Sequence, residues 1–385
     1  MEPKVRFKGF SGEWNVYTIG DIAPVMGGYA FQSEQFSNSG IAIVRISNIL
    51  DTGIIGGDFV KYDIFTGDTS FRLYSGDILI AMSGATTGKV AIVKTDKFLY
   101  QNQRVGKFSR TDKINYSFLA SIVGSNKFRL ELNKRLTSSA QPNASSRDID
   151  SIQQYLPNDI IEQGTIASFF SSIDSTIISS AKKLASLKKL KSASLVAMFP
   201  QNGESTPKVR FKGFEGEWKK VKLGNVCSVN RGTRITKKEL NTNQSYPVYQ
   251  NTNYPLGYYK NYNVEANNPY VIIGGSAGLI GFSNVPFWAA DDCAYFGDND
   301  SLDKAFLYST LLSHIAEIKK NVRGSSVPRL DRSTLIDLEI NLPSFSEQQA
   351  IASFFRSLDR KIALETARLE KLKQIKRACL DKMFV

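Results

Sequence analysis

The chain is poor in the residues that most often do chemistry. Histidine occurs once, at His314, within the apolar stretch 306–318. A lone imidazole in such a stretch reads as a structural side chain rather than a base or a metal ligand. Cysteine occurs three times, at Cys227, Cys293 and Cys379, far apart in the chain. That spacing makes neither a zinc site nor a disulfide framework and points to a reducing compartment. No apolar run approaches the ~20 residues of a membrane span. The opening Met-Glu-Pro-Lys lacks a signal-peptide pattern, so a cytoplasmic chain with no membrane partner is expected.

Proline and further glycine are also missing from two long stretches, between Gly164 and Phe199 and from Ile351 to Phe384. The two stretches match without a gap at an offset of 185 positions, Ile166 falling on Ile351. Apolar residues recur at Ile166, Phe170, Ile173, Ile177, Leu184, Leu187, Leu190, Leu195 and Met198. The second copy repeats them at Ile351, Phe355, Leu358, Ile362, Leu369, Leu372, Ile375, Leu380 and Met383. These steps draw one apolar stripe along a helix of ~35–40 residues, or ~50–60 Å. A stripe that narrow needs a partner, and the economical partner is the other copy, in an intramolecular coiled coil. Ser346-Glu347-Gln348-Gln349 gives the second helix a capping-type start; in the first copy Gly164 is expected to fray the start.

A second repeat sets the organisation. Pro3-Lys4-Val5-Arg6-Phe7-Lys8-Gly9-Phe10-Ser11-Gly12-Glu13-Trp14 returns as Pro207-Lys208-Val209-Arg210-Phe211-Lys212-Gly213-Phe214-Glu215-Gly216-Glu217-Trp218, identical at eleven of twelve positions. The chain is a tandem duplication of globule and helix. The divisions are residues 1–159 (first globule), 160–199 (first helix), 200–343 (linker and second globule) and 344–385 (second helix). The expected fold is α+β: two mixed α/β globules and two long antiparallel helices in pseudo-twofold repeat. Strands are expected near 41–46, 77–82, 89–93, 246–250, 270–273, 280–283, 293–296 and 335–342, and helices over 116–135 and 306–320. Residues 138–146 read as a loop, 148–156 as a strand or turn, and 200–206 as a hinge-like linker. The ends of the two globules match while their middles do not, which suggests one scaffold carrying two recognition surfaces.

Three near-motifs fail on their details. Gly84-Ala85-Thr86-Thr87-Gly88-Lys89-Val90 has three residues between its glycines where a phosphate loop has four, and Val90 where Ser or Thr must meet magnesium. Asn267-Asn268-Pro269-Tyr270 lacks one proline of the adenine-methyltransferase motif, and no glycine-rich cofactor loop accompanies it. Glu317-Ile318-Lys319 has no upstream acid pair to complete a nuclease site. No catalytic residue, metal site or bound cofactor is expected.

What the chain does have is cationic charge, net +13, shared by both globules and both helices. The first helix carries Lys182, Lys183, Lys188, Lys189 and Lys191, a face that reads as solvated and that can also lie over phosphates. A basic chain of this kind meets a polyanion, nucleic acid first. The candidate contacts in the first globule are Arg45, Ser47, Asn48, Ser83, Thr86, Thr87, Lys89, Gln101, Asn102, Gln103, Arg104 and Lys107. In the second they are Asn230, Arg231, Thr233, Arg234, Tyr249, Gln250, Asn251, Arg323, Ser325 and Ser326. Asn and Gln pair two-pronged with adenine and Arg with guanine in the major groove, while Lys and Ser chiefly hold phosphates. Gly84, Gly88 and Gly232 are expected to allow close backbone approach.

The two Pro-Lys-Val-Arg-Phe-Lys-Gly-Phe…Trp motifs and the run Leu342-Pro343…Glu347-Gln348-Gln349-Ala350-Ile351-Ala352-Ser353-Phe354-Phe355-Arg356-Ser357-Leu358-Asp359-Arg360-Lys361-Ile362 resemble the specificity subunits of type I restriction-modification systems. Gly27–Ser33 with Arg45–Asn48 resembles their target recognition domains. The resemblance covers nearly the whole chain; Glu162-Gln163-Gly164-Thr165 departs slightly from its second copy. It implies two target recognition domains, each reading one half of a bipartite double-stranded DNA site, with the helix pair as a ruler. It also implies as partners two modification subunits, carrying S-adenosylmethionine for adenine methylation, and, where present, two restriction subunits using ATP and magnesium for translocation and cleavage. The specificity subunit itself is non-catalytic. Two other classes compete on charge and loops: an RNA-binding coiled-coil protein, separated by preference for one duplex DNA sequence, and a methyltransferase or nuclease in its own right, separated by activity of the single chain.

Overall fold

The structure, a computed structural model, describes residues 1–64, 69–136, 142–201, 203–241 and 243–385. The chain supplies β1 (Asn15–Thr18), α1 (Ile19–Ile22), β2 (Val25–Gly27), β3 (Ile41–Val44), β4 (Lys61–Tyr62), β5 (Arg72–Leu73), β6 (Ile78–Ala81), β7 (Val90–Ile92), β8 (Leu99–Gln101) and β9 (Val105–Phe108). These are followed by α2 (Tyr116–Val123), α3 (Asn126–Arg135), α4 (Ser146–Asp150), β10 (Gln153–Leu156) and the 38-residue α5 (Ile160–Ala197). The second half supplies β11 (Lys219–Lys222), β12 (Val229–Arg231), β13 (Tyr246–Tyr249), β14 (Gly257–Tyr259), β15 (Asn268–Ile272), β16 (Ile280–Ser283), β17 (Trp288–Ala289) and β18 (Cys293–Phe296). It ends with α6 (Lys304–Ser313), α7 (Ile315–Lys320), α8 (Arg332–Ile336), β19 (Glu339–Leu342) and the 39-residue α9 (Phe345–Met383).

Two compact units result, residues 1–182 with 367–385, and residues 183–366; both divides fall inside the long helices. The strand orders of their antiparallel sheets coincide. Unit 1 holds the antiparallel sheet β2-β9-β6-β7 and unit 2 the antiparallel sheet β12-β18-β15-β16. Beside these lie β4-β3-β8-β5 and β14-β13-β17, each built on a parallel pair, β3 with β8 and β13 with β17. The antiparallel ribbons β1/β10 and β11/β19 close each unit. The middles of the two halves, which share no visible sequence pattern, therefore share one topology, except that β5 has no counterpart among the described residues of unit 2.

Several expected boundaries shift for local reasons. The 116–135 helix is two, α2 and α3, because the chain turns at Gly124 and Ser125 caps the second through Phe128 N. The 306–320 helix breaks at His314, whose Nδ1 lies 2.9 Å from Thr310 O. Residues 335–342 are the end of α8 followed by the strand β19, since Asp331 caps a short helix first. Likewise α4, capped by the reciprocal Ser145–Asp148 pair, precedes β10. Gly164 does not fray α5, which starts at Ile160 with Asp159 Oδ1 accepting from Ile161 N at 2.7 Å. In α9 the capping side chain is Ser344, which accepts from Glu347 N at 3.4 Å, not Ser346. The described residues of the 200–206 linker are tied to the structure on either side. Gln201 donates to Val196 O and Phe199 O, and Ser205 O accepts from Trp218 N at 2.8 Å. Asn202, like residues 138–141 of the expected 138–146 loop, lies outside the described residues.

The opening motif is a clamp on the long helices. Arg6 meets the buried Glu162 side by side, Nε–Oε1 2.7 Å and Nη2–Oε2 2.8 Å, and its other hydrogens go to Gly12 O and Ser11 O. Arg210 repeats this on Glu347 at 2.7 and 2.8 Å, and on Gly216 O and Glu215 O. The carboxylates hold both guanidinium groups above their ordinary value through these hydrogen bonds. One residue on, Gln163 accepts from Asn115 N and donates to Pro157 O, while Gln348 accepts from Asp303 N and donates to Pro343 O. Asn115 and Asp303 are the caps of α2 and α6. The Glu-Gln pair thus fixes both the opening motif and the first helix that follows the sheets.

Each unit's core joins one helix start to the other helix's end. In unit 1, Trp14, Phe118, Phe170 and Phe384 form one aromatic cluster; in unit 2, Trp218, Phe306, Phe355 and Phe199 form its counterpart. Within each unit the helix segments run antiparallel: Asp174 pairs with Lys376 at 2.5 Å in unit 1, and Lys191 with Asp359 and Lys183 with Glu365 in unit 2. Of the expected interface, Ile166, Phe170, Ile177, Ile351, Phe355, Leu358 and Leu369 are buried, and Ile173, Leu184, Leu187, Ile362 and Leu372 half-buried. Leu190 and Ile375, at matched places in the stripe, are 50% and 41% exposed. The neighbouring Lys191 and Lys376, one step (~100°) round each helix, take the seam instead, as ion pairs.

Candidate nucleic-acid interface

Parallel pairing decides which loops meet. Because β3 and β8 run the same way, with Val44 beside Gln101, the segments after them leave the sheet at one end. Asn102 N donates to Val44 O and Met82 N to Arg104 O at 2.9 Å, which brings in the loop after β6. Ser83 then bridges to Asn143. Unit 2 repeats the arrangement: Tyr249 lies beside Ala289, Ala290 N donates to Tyr249 O, Ile273 N donates to Asp292 O at 2.8 Å, and Gly274 bridges to Arg329. The expected loops 45–48, 83–89 and 101–104, and in unit 2 249–251 and 323–326, are thus gathered on one edge of each unit.

The candidate residues divide into those facing out from that edge and those that build it. In unit 1, Ser47, Gln103 and Arg104 are exposed and Arg45 and Asn102 half-buried. Asn102 Oδ1 accepts from Arg104 N at 3.2 Å. Asn48 and Gln101 are buried with their amide nitrogens committed inside: Asn48 Nδ2 donates to Gly56 O and Asp58 O, and Gln101 Nε2 to Met26 O and Val105 O, while Gln101 Oε1 is buried with no hydrogen-bond partner. Thr87 Oγ1 lies 2.7 Å from Gly84 O, Lys89 pairs with Asp51 at 2.8 Å, and Lys107 Nζ donates to Ser70 O and Arg72 O. The hydroxyls of Ser83 and Thr86 are buried with no hydrogen-bond partner.

In unit 2, Arg231, Thr233, Arg234, Asn251, Arg323, Ser325 and Ser326 are exposed. Arg231 Nε donates to Asp291 O at 2.6 Å, Gln250 Nε2 lies 3.4 Å from Asp291 Oδ1, and Asn230 Nδ2 donates to Ser228 Oγ at 3.0 Å. Tyr249 is half-buried and stacked 4.4 Å from Tyr270; burial raises the pKa of both phenols. An open cleft here is lined by Arg231, Asp292, Arg323, Arg329, Asp331 and Arg332. Asp331 is held below the usual carboxylate range by hydrogen bonds from Ser333, with Arg323 and Arg332 adding to the effect.

Gly84 and Gly88 adopt φ of +73° and +81°, which side chains rarely accept. Gly232 serves the scaffold: a Cβ there would sit 2.2 Å from Ala290 O, as one on Gly28 would sit 2.1 Å from Gln101 O. Sequence reasoning missed Asp291, Asp292, Arg329 and Arg332. Arg329 carried a findable signal, six residues after Arg323 in one Gly-Ser-Ser turn. The two aspartates carried none, because their place follows from pairing that the divergent middles conceal. The rejected Asn267–Tyr270 motif is the start of β15, with Asn268 Nδ2 bonded to Phe296 O. Among the described residues no cluster of His, Cys, Asp and Glu could hold a metal ion, and no helix is long and apolar enough to cross a membrane.

Comparison with known proteins gives a consistent picture. A family profile described as the type I restriction modification DNA specificity domain matches twice, over residues 11–189 and 215–374. The chain is 28% identical over 187 residues to the type I restriction enzyme MjaVIII specificity subunit of Methanocaldococcus jannaschii, covering 46% of this chain and 44% of that one. It is 27% identical over 143 residues to a putative type I specificity subunit, S.MpnORF507P, of Mycoplasma pneumoniae, covering 36% and 39%. The matched stretches thus span less than half the length of these curated relatives. The crystal structure of a type I restriction-modification S subunit from M. genitalium superposes with a TM-score of 0.77 at 18% identity, over 100% of this chain and 99% of that one. That likeness is one of fold.

Proposed function

We propose, from the premise that this chain belongs to the type I restriction-modification DNA specificity family, that it reads a split duplex DNA site, each unit meeting one half-site with its loop edge. One observation carries the reading. The same edge is built twice on the same strand order, and the two copies present different polar side chains. A scaffold repeated with altered loops suits two unlike half-sites better than one repeated ligand. Exposed Arg, Gln and Asn on that edge supply donors for base edges, and the net charge of +13 favours the phosphate backbone.

In this reading the chain is a non-catalytic subunit. α5 and α9, each ~57 Å at 1.5 Å per residue, fix the gap between half-sites and carry two modification subunits. Those subunits bring S-adenosylmethionine to an adenine in each half-site, and restriction subunits, where they join, bring ATP and magnesium for cleavage. The experiment is an exchange of residues 15–140 for those of another family member. The complex with modification subunits should then select duplexes changed in one half-site only. Changes in both halves would remove the independence of the units, and a preference for RNA over any duplex would remove the DNA reading.

A further inference from the structure

The two edges can be compared position by position through their strand pairing. Arg104 precedes Val105, the partner of Ala81, and its carbonyl accepts from Met82 N. Asp292 precedes Cys293, the partner of Ile272, and its carbonyl accepts from Ile273 N. Arg104 and Asp292 therefore hold the same place on the same scaffold with opposite charge. Around them the pattern inverts again. Arg231, paired with Ala294, matches Gly27, paired with Gly106. Arg329, bridged to Gly274, matches Asn143, bridged to Ser83. Arg332, first in α8, matches Ser146, first in α4. At these matched positions unit 1 sets a cation among Gly27, Asn143 and Ser146, and unit 2 sets an anion among Arg231, Arg329 and Arg332.

Both central side chains reach the edge. Arg104 is exposed, and Asp292 is half-buried and lines the cleft, its Oδ1 over Gly274, where a Cβ would come within 2.3 Å of it. Among the described residues Asp292, Arg231, Arg323, Arg329 and Arg332 of the cleft make no salt bridge within 4 Å, although Arg323 and Arg332 act electrostatically on Asp331. A carboxylate on a DNA-facing edge is repelled by phosphates unless flanking cations hold those phosphates and a base amino group donates to it.

We infer that the two units read DNA with opposite hydrogen-bond polarity: Arg104 donates to a guanine in one half-site, whereas Asp292, with Arg231 and Arg329 on the flanking phosphates, accepts from a base amino group in the other. This rests on the DNA-specificity reading above and adds to it which atoms do the reading. Guanine O6 and N7 are the acceptors that suit an arginine fork, and cytosine N4 or adenine N6 the donors that suit a carboxylate.

The test uses the chain assembled with its modification subunits and a pool of randomised duplexes, for wild type, Arg104→Ala and Asp292→Ala. Arg104→Ala should erase the preference at one guanine by ~5–100-fold, and Asp292→Ala a preference in the opposite half-site only. Replacing that guanine by 7-deazaguanine should weaken wild type and leave Arg104→Ala unaffected. At the position that responds to Asp292→Ala, a base analogue lacking the exocyclic amino group should likewise weaken wild type and leave Asp292→Ala unaffected. Arg231→Ala with Arg329→Ala should keep the motif and flatten the log–log salt dependence by ~2, at ~0.9 per phosphate contact. Equal weakening of all sequences by both central variants, loss in the same half-site, or indifference of wild type to the analogues would overturn the inference while leaving DNA recognition standing. A wild-type complex that selects no duplex motif would remove both.

Discussion

Arg210→Ala offers a quantitative test of the clamp. Glu347 is 1% exposed and its two oxygens are met by Nε and Nη2 of Arg210 at 2.7 and 2.8 Å. Deleting the guanidinium leaves a buried carboxylate unpaired, which costs about 3–5 kcal/mol, and frees Gly216 O and Glu215 O as well. At 1.4 kcal/mol per decade this is ~2–4 decades in a local opening equilibrium. Hydrogen exchange resolved by peptide should show faster exchange by that factor at 207–218 and at the start of α9. The matched peptides of unit 1, held by Arg6 and Glu162, should be unchanged. Arg210→Ala combined with Glu347→Met should recover most of the protection, because a well-packed apolar pair can replace a buried ion pair. Less than a twofold change in the single variant would refute the clamp, and equal changes in both units would refute its locality.

Other outcomes follow from particular contacts. Phe355→Ala, removing a 2%-exposed ring packed on Phe199, should destabilise by about 3–5 kcal/mol in urea unfolding; a cost under about 1 kcal/mol would contradict that core. The Lys191–Asp359 pair, 18% and 36% exposed, should show a coupling of at most ~1 kcal/mol in a double-mutant cycle, and a larger value would mean the seam is chiefly ionic. Burial raises the Cys227 thiol to about 11 and raises that of the fully buried Cys293 too, whereas Cys379 is half-buried. At pH 8 a thiol reagent should therefore modify at most one cysteine in the native chain and three in denaturant. A thiol raised in the folded state stabilises it below the unfolded value of ~9 and loses that contribution as pH rises towards 11. Cys227→Ala should flatten the decline in stability over that window, and an unchanged slope would contradict the burial. Gly232→Ala must displace the Ala289–Ala290 backbone and should lower the yield of folded chain, while Ala at Gly213, which has open space but φ of +92°, should be milder.

The duplication was plain in the sequence because the repeated residues are those under double constraint. Arg6 and Arg210, Glu162 and Glu347, and Trp14 and Trp218 each hold one unit together by the same contact, so they stand in matching places. The stripe of α5 and α9 was readable for the same reason, except at Leu190 and Ile375, where lysines one step round each helix take the seam. The sheets were less readable. Strands of two to five residues, such as β4 and β17, carry too few positions for a period to show. Of the loop candidates, Asn48 and Gln101 turn their amides inward, because a polar side chain beside a tight turn can satisfy backbone carbonyls as readily as a ligand. The opposition of Arg104 and Asp292 was hidden altogether, since it exists only once the strands are paired.

Sequencing of adenine methylation in cells that express this chain with its modification subunits, beside cells lacking only this chain, tests the central claim most directly. The account predicts a new mark at a split motif with a fixed gap, changed in one half by Arg104→Ala and in the other by Asp292→Ala. An assembled complex that leaves no motif, or one undivided motif, would contradict it.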